Sequence, residues 1–282
     1  MVAGRGPRTV CAPGVDYERR GLAVTEYRPD GPWGRTLVLL SSLGVSRRSW
    51  AVPAGLLGQS DRCLAIDLPG HGTSPPAGHF LTIPDFADAI ARLLDEDGAR
   101  DVVVVGNSMG ATIGTALADQ RPDLVAALVH VGSAVWESEP QRREWLHSRS
   151  GLFCGPEGGR EMTRDFVEAI FGCYDEGWHR MLREDQRRSG IRLGWAMWAL
   201  YAYDTAATLD RLNRPVLAVF GERDPYRDVT LPVLRRHLRS LHEAIIPDGS
   251  HLLPVDRGPE LAAHIRNWLS AHVPTSVTKE MA

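Results

Sequence analysis

The chain of 282 residues has a mass of 31.0 kDa, and its 43% hydrophobic and 24% charged residues are ordinary for a globular protein with a buried core. Its 32 basic and 35 acidic residues give a formal net charge of -3, which offers no electrostatic surface for nucleic acid or anionic lipid. No apolar run reaches the ~18 residues that a membrane span needs, and the first residues lack the apolar core of a secretory signal. We therefore expect a cytoplasmic protein without nucleic acid or membrane as a partner.

Short apolar and β-branched runs alternate with helical patterns along most of the chain, which is typical of a mostly parallel sheet with helices on its faces. The clearest helical pattern covers Ile83 to Leu94, where apolar residues recur at intervals of three and four. The predicted strands are Leu22 to Tyr27, Thr36 to Leu40, Arg62 to Ile66, Asp101 to Val105, Leu124 to Val131, Val216 to Phe220 and Ala244 to Ile246. The pattern predicts the α/β fold class.

The alternation stops between Ala134 and Leu212, where 79 residues carry helical patterns and no convincing strand. We expect a helical cap inserted into the sheet domain at this point. The predicted organisation is a core of residues 1–133 and 213–273, a cap of residues 134–212, and a disordered tail of residues 274–282.

The predicted cap holds 11 of the 20 aromatic residues of the chain. Most of them should form the small core of the cap itself, because a helical layer needs its own packing. The rest could line a pocket beneath it. Trp136, Trp195 and Trp198 are our candidates for a substrate-facing wall, and Trp195 and Trp198 lie three residues apart on a predicted helix, so both can face the same way.

The segment after the fourth predicted strand carries the most informative motif, Gly106-Asn107-Ser108-Met109-Gly110. A strand followed by Gly-x-Ser-x-Gly and a helix start is the context of a nucleophilic serine on a sharp turn, where the neighbours two positions away must be small. The helix N-terminus behind the serine offers free N–H groups where negative charge would develop. The alternative is a plain glycine-rich turn between a strand and a helix.

A serine hydroxyl needs a base and an orienting acid, and the expected order along the chain is serine, acid, histidine. Asp224 follows the strand ending in Gly221, and His251 follows a strand-like run in a polar loop, so both lie where active sites of open α/β sheets collect. Asp248 competes with Asp224 for the acid role. Each could instead be an ordinary turn or surface residue.

An oxyanion needs hydrogen-bond donors, usually two backbone N–H groups. We expect one from Met109, directly after the serine, and one from Leu43 in the loop Ser41-Ser42-Leu43-Gly44-Val45 that follows a predicted strand.

Four motifs in order make the chain similar to the α/β-hydrolase superfamily over roughly residues 20 to 272. They are DLPGHGTS at Asp67 to Ser74, GNSMG at Gly106 to Gly110, GERD at Gly221 to Asp224 and GSH at Gly249 to His251. The resemblance implies a nucleophile Ser108, an acid Asp224, a base His251 and a cap over residues 134–212. The loop SSLGVSRRSW resembles that of 3-oxoadipate enol-lactone hydrolases, and GNSMG resembles the elbow of C–C bond hydrolases of ring-fission products. In the latter a tryptophan usually follows the histidine, where Leu252 stands here.

These observations predict a serine hydrolase that cleaves a small to medium carboxylic ester or lactone through an acyl-enzyme. We place Leu252 with Trp136, Trp195 and Trp198 as substrate-binding residues. No metal or organic cofactor is expected for this reaction. The four cysteines are widely spaced without a Cys-x-x-Cys pair, so they indicate neither a zinc site nor a disulfide framework. A C–C hydrolase or acyltransferase is the alternative on the same fold, and a non-catalytic ligand-binding protein is a second alternative.

Overall fold

The computed structural model describes residues 12–153 and 164–275, and its strands form one eight-stranded sheet. The strands are β1 (Gly14–Arg19), β2 (Leu22–Tyr27), β3 (Thr36–Leu40), β4 (Arg62–Ile66), β5 (Val102–Asn107), β6 (Val125–Val131), β7 (Val216–Gly221) and β8 (Leu241–Ile246). Their order in the sheet is β1-β2-β4-β3-β5-β6-β7-β8. β1 and β2 pair antiparallel, β2 pairs antiparallel with β4, and the remaining pairs are parallel.

Helices follow most of the parallel strands. They are α1 (Ala51–Leu57), α2 (Ile83–Asp97), α3 (Met109–Gln120), α4 (Glu139–Phe153), α5 (Arg164–Phe171), α6 (Glu176–Ser189), α7 (Arg192–Ala202), α8 (Thr205–Leu209), α9 (Arg227–His237), α10 (Leu253–Asp256) and α11 (Gly258–His272), with a 3₁₀ turn at Arg47–Trp50. None of these helices combines the length and the apolar character that crossing a bilayer requires.

The predicted α/β class and mostly parallel sheet are confirmed. The helix predicted from Ile83 begins there because Thr82 and Asp85 form a capping box, with Thr82 accepting from the Asp85 N–H and Asp85 accepting from the Thr82 N–H. It ends at Gly98, whose left-handed backbone suits glycine.

Two apolar layers cover the two faces of the sheet. One layer joins one face of the central strands to α2, α3 and the helices that follow β6, and the other joins the opposite face to α1 and α11. The central strands β3 and β5 are almost fully buried, which is why their sequences are continuous apolar runs.

The chain leaves the sheet after Val131 and returns at Val216, and the residues described between these points form helices α4 to α8 and no strand. We call α4 to α8 the helical segment. It lies where the cap is predicted, although the division into core and cap stays a prediction. Residues 1–11 of the predicted core, 154–163 of the predicted cap and 276–282 of the predicted tail lie outside the described residues.

Candidate active site

Ser108 lies on a strained turn between β5 and α3. Its backbone has φ 53° and ψ -113°, a region that costs an L-residue energy, and its side chain is largely buried. A Cβ at Gly106 would overlap the carbonyl of Gly110, and a Cβ at Gly110 would overlap the backbone carbonyl of Leu40. The two glycines therefore let the turn close against β3, as the Gly-x-Ser-x-Gly pattern requires.

The His251 and Asp224 side chains form a buried pair. His251 Nδ1 lies 3.1 Å from both Asp224 carboxylate oxygens, and only 3% of His251 is exposed. Asp224 Oδ1 also accepts a hydrogen bond from the Tyr226 N–H at 2.9 Å, which orients the carboxylate. With Nδ1 facing the carboxylate, the opposite ring nitrogen of His251 is the one available to another partner.

Gly132 leaves the space that the Asp224 and His251 side chains occupy. Its φ is +51°, and a Cβ there would lie 2.8 Å from Asp224 Oδ2 and 3.1 Å from His251 Nδ1. Gly132 belongs to none of the motifs that point to the site in the sequence. The structure shows that any side chain at this position would collide with the pair.

Two other groups hold the His251 loop. The Asn107 Nδ2 donates to the His251 carbonyl at 3.0 Å and to the Val131 carbonyl at 2.9 Å. The His251 N–H donates to the Phe171 carbonyl at 2.8 Å, so the end of α5 binds the same loop. Sequence reasoning treated Asn107 as a variable position of the motif, and the Phe171 contact has no pattern in the sequence.

Asp248, the competing acid, points away from His251. Its side chain is 68% exposed and pairs with Arg223 at 2.7 Å. The geometry therefore brings Asp224, and not Asp248, to the imidazole.

The predicted oxyanion donors belong to two backbone segments near Ser108. Leu43 lies in a turn closed by a hydrogen bond from the Val45 N–H to the Ser42 carbonyl at 3.1 Å, and Gly44 adopts the required φ of +71°. Met109 begins α3, so its N–H is among those a helix leaves free.

A small cavity of about 40 Å³ joins these groups. Leu43, Ser108 and His251 all line it. The other lining residues are Ser42, Ala134, Ile170, Phe171, Met197, Leu200, Tyr201 and Tyr226. Most of the wall is apolar, and the helical segment contributes about half of it.

The structure separates the predicted substrate-binding residues from this cavity. Trp195 and Trp198 are 37% and 48% exposed and do not line this cavity, whereas Met197, Leu200 and Tyr201 of the same helix do. A role of either tryptophan in substrate binding stays a prediction.

Trp136 and Leu252 are buried and do not line the cavity. The ring of Trp136 packs against Tyr201 with centroids 4.8 Å apart, so it supports a wall residue from behind. Leu252 belongs to the apolar layer beside His251.

Within residues 12–153 and 164–275, no three His, Cys, Asp or Glu side chains are arranged to hold a metal ion.

Comparison with known proteins places the chain in a family. Residues 37–264 match the model of the alpha/beta hydrolase family. The chain is 40% identical over 270 residues to the lipase LipV of Mycobacterium tuberculosis, covering 88% of this chain and 97% of that protein. It is 27% identical over 238 residues to the (E)-2-((N-methylformamido)methylene)succinate hydrolase of Acinetobacter baylyi, covering 84% and 90%.

Among solved structures, the enol-lactonase from Burkholderia xenovorans superposes with a TM-score of 0.68 at 20% identity, over 88% of this chain and 94% of that one. At this identity the similarity concerns the fold. The family match and the lipase relative agree with the motifs and with the sheet order, and the chain belongs to the alpha/beta hydrolase family.

Proposed function

We propose that this hydrolase cleaves carboxylic esters or lactones through an acyl-enzyme formed on Ser108. The observation that carries the proposal is a strained serine and an Asp-paired histidine on the wall of one cavity. The strained turn, the two glycines that permit it and the buried Asp224–His251 pair all support a nucleophile with its base.

In the proposed reaction the Ser108 Oγ attacks the substrate carbonyl while His251 accepts the hydroxyl proton. Asp224 holds the imidazole by its Nδ1 and stabilises the positive charge that forms. The N–H groups of Leu43 and Met109 bind the oxygen of the tetrahedral intermediate. His251 then returns the proton to the leaving alcohol oxygen, and a water molecule, activated by the same base, releases the acid from Ser108.

The cavity supports an uncharged, apolar acyl group. None of its eleven described lining residues is Arg or Lys, and most are aliphatic or aromatic. A substrate carboxylate buried there would have no cation to pair with, which is costly. We therefore favour esters with an apolar acyl chain, in agreement with the name of the LipV relative, over substrates that carry a carboxylate beside the scissile bond.

The volume of the cavity also limits the size of the acyl group. A space of about 40 Å³ holds a few water molecules, since one occupies roughly 10–15 Å³ on this measure. A short acyl group therefore needs little rearrangement, and a longer one requires side chains of the helical segment to move. We propose that the helical segment acts as the cap that sets this limit.

The test is covalent labelling with a fluorophosphonate followed by mass analysis of the modified peptide. We expect one label on Ser108, and we expect Ser108→Ala to lower kcat for a short p-nitrophenyl ester by about 10⁴ to 10⁶ with an unchanged fold. Ser133→Ala is the control, because Ser133 is also buried and lies beside Gly132. Turnover of Ser108→Ala near the wild-type rate would refute the nucleophile.

A further inference from the structure

The loop that carries Leu43 is held by two buried carboxylates from different parts of the fold. Asp67, which follows β4, accepts from the Arg47 N–H at 2.6 Å, and Asp185 of α6 accepts from the Ser46 N–H at 2.9 Å. Both carboxylates are almost fully buried. Two consecutive N–H groups of the loop are thus bound by the sheet domain and by the helical segment respectively.

Asp185 accepts the hydrogen bond that a side chain of the turn itself accepts in a capping box. Ser46 is the N-cap of the 3₁₀ turn Arg47–Trp50, and its own side chain makes no capping hydrogen bond. In a capping box a side chain three residues on accepts from the N-cap N–H, whereas here the acceptor comes from a helix about 140 residues away in sequence. The second Asp185 oxygen accepts from Arg48 Nη2 at 2.8 Å, so both oxygens of the buried carboxylate have partners.

The helical segment also touches the turn itself. A Cβ at Gly44 would lie 2.7 Å from Leu193 Cδ1 and 3.4 Å from Gln186 Cγ, so α6 and α7 pack directly on the backbone beside Leu43. The Ser46 carbonyl accepts from the hydroxyls of Ser41 and Ser49, which fixes the other side of the loop. Hydrogen bonds therefore hold the backbone of Ser46 at both its N–H and its carbonyl.

We propose that Asp185 is a positioning residue that fixes the turn bearing the Leu43 N–H, and so couples the helical segment to the oxyanion site. This inference rests on the proposed function, in which that N–H binds the oxyanion. Asp185 touches no substrate atom in this account. It acts through Ser46, three residues after Leu43, and a donor displaced by about 1 Å can cost about 10² in rate.

The experiment compares Asp185→Ala, Asp185→Asn and Asp185→Glu with the wild-type enzyme on a short p-nitrophenyl ester. Asn keeps an acceptor for the Ser46 N–H, Ala removes it, and Glu keeps the charge but displaces the acceptor by one methylene. We expect kcat to fall about 10- to 100-fold for Ala, about tenfold for Glu and less than fivefold for Asn, with KM within about threefold throughout. Glu184→Gln is the control, because Glu184 pairs with the same Arg48 from the exposed side of α6.

A second readout separates positioning from stability. A trifluoromethyl ketone forms a tetrahedral adduct with an oxyanion, so its inhibition constant should rise by the same factor as kcat/KM falls in each variant. If Asp185→Ala does not fold, Asp185→Glu carries the same test. A folded Ala or Glu variant with kcat within twofold of the wild type, or an Asn variant as impaired as Ala, would overturn the inference. If Ser108→Ala retained turnover, the proposed function would fail first, so the two failures are distinguishable.

Discussion

The carboxyl edge of the sheet and the helical segment contribute different things to the same cavity. Ser108, Asp224 and His251 come from loops that follow β5, β7 and β8, where strained backbone and buried hydrogen bonds hold each of them. The helical segment contributes apolar wall residues such as Met197 and Leu200. In the proposed reaction the carboxyl edge supplies the chemistry, whereas the apolar wall of the helical segment sets which acyl group fits.

The two regions meet at a few named contacts. The Phe171 carbonyl accepts from the His251 N–H, and the Asp185 carboxylate accepts from the Ser46 N–H. Substitutions in the edge should therefore lower the rate for every substrate, and substitutions in the wall should alter the preference among substrates. Substitutions at contacts between the two regions should combine the two effects.

The largest effect is expected from the acid of the edge. Asp224→Asn keeps the shape but presents the wrong partner to the imidazole, and we expect kcat to fall by about 10⁴ as in the worked protease example. Asp248→Asn is the control and should be nearly normal, because its carboxylate faces Arg223 and solvent. Steady-state kinetics with two esters would check this, and the reverse pattern would transfer the acid role to Asp248.

The next largest effect is expected at Gly132, where the Asp224–His251 pair leaves no room for a side chain. Gly132→Ala adds a Cβ within 3.1 Å of both side chains of the Asp224–His251 pair, so we expect kcat to fall about 10² for all esters. Gly190→Ala is matched to it, since Gly190 has a similar φ of +56° with nothing within 4 Å of the added Cβ. Both should lose about 1 to 3 kcal/mol of stability from backbone strain, and Gly132→Ala should lose more than Gly190→Ala because its added Cβ overlaps neighbouring atoms. Equal activity of the two variants would contradict the steric account.

A third prediction concerns stability of the sheet core and not catalysis. Burial lowers the pKa of His130 on β6 from 6.5 to about 4. The unfolded chain binds the proton more readily than the folded chain. The contribution of His130 to the free energy of unfolding is therefore fully present above pH 6.5, and it is lost as the pH falls from 6.5 toward 4. The full contribution is about 3 kcal/mol at 1.36 kcal/mol per pKa unit.

Urea unfolding across that pH range should therefore show a flatter profile for His130→Gln than for the wild type. His264→Gln, on the exposed face of α11, is the control. The lowered pKa of the buried His71 leaves part of the wild-type slope in both variants. Parallel profiles for wild type and His130→Gln would contradict the burial argument.

The smallest effect on catalysis is expected from the apolar wall of the cavity. Met197→Ala enlarges the cavity, so we expect the ratio of kcat/KM for a longer acyl ester to that for a shorter one to rise about tenfold, with a stability loss of about 2 to 5 kcal/mol. Trp198→Ala, one position along on the exposed face, should leave both the ratio and the melting temperature nearly unchanged. If Trp198→Ala altered the ratio of kcat/KM and Met197→Ala did not, Trp198 and not Met197 would be the residue that contacts the substrate.

Patterns in the sequence predicted the parallel strands because buried strands are continuous apolar runs, and they predicted Ser108 because its turn demands small neighbours. They missed β1, since Gly14–Arg19 is a short, charged edge strand that is mostly exposed, and its apolar alternation covers only Val15 and Tyr17. They could not indicate how Trp195 and Trp198 are oriented, because α7 is apolar on nearly every side and periodicity cannot indicate which face it buries.

Gly132 and Asp185 could not be found from sequence for a different reason. Gly132 matters through two side chains about 90 and 120 residues away, and Asp185 through a backbone N–H in another part of the fold. Contacts of this kind have no local pattern, since a single glycine or aspartate fits many turns and helices equally well.

The measurement that tests the central claim most directly is the mass of the intact protein after rapid acid quenching during turnover of a short p-nitrophenyl ester. Because p-nitrophenolate is a good leaving group, we expect acylation of Ser108 to be faster than deacylation. A fraction of the protein should then gain the mass of one acyl group, with the modified peptide mapping to Ser108, and the release of p-nitrophenol should show a burst. The Asp224→Asn variant should form this species more slowly. Sustained wild-type turnover with no acyl adduct in the quenched protein, or an adduct on another residue, would contradict the account.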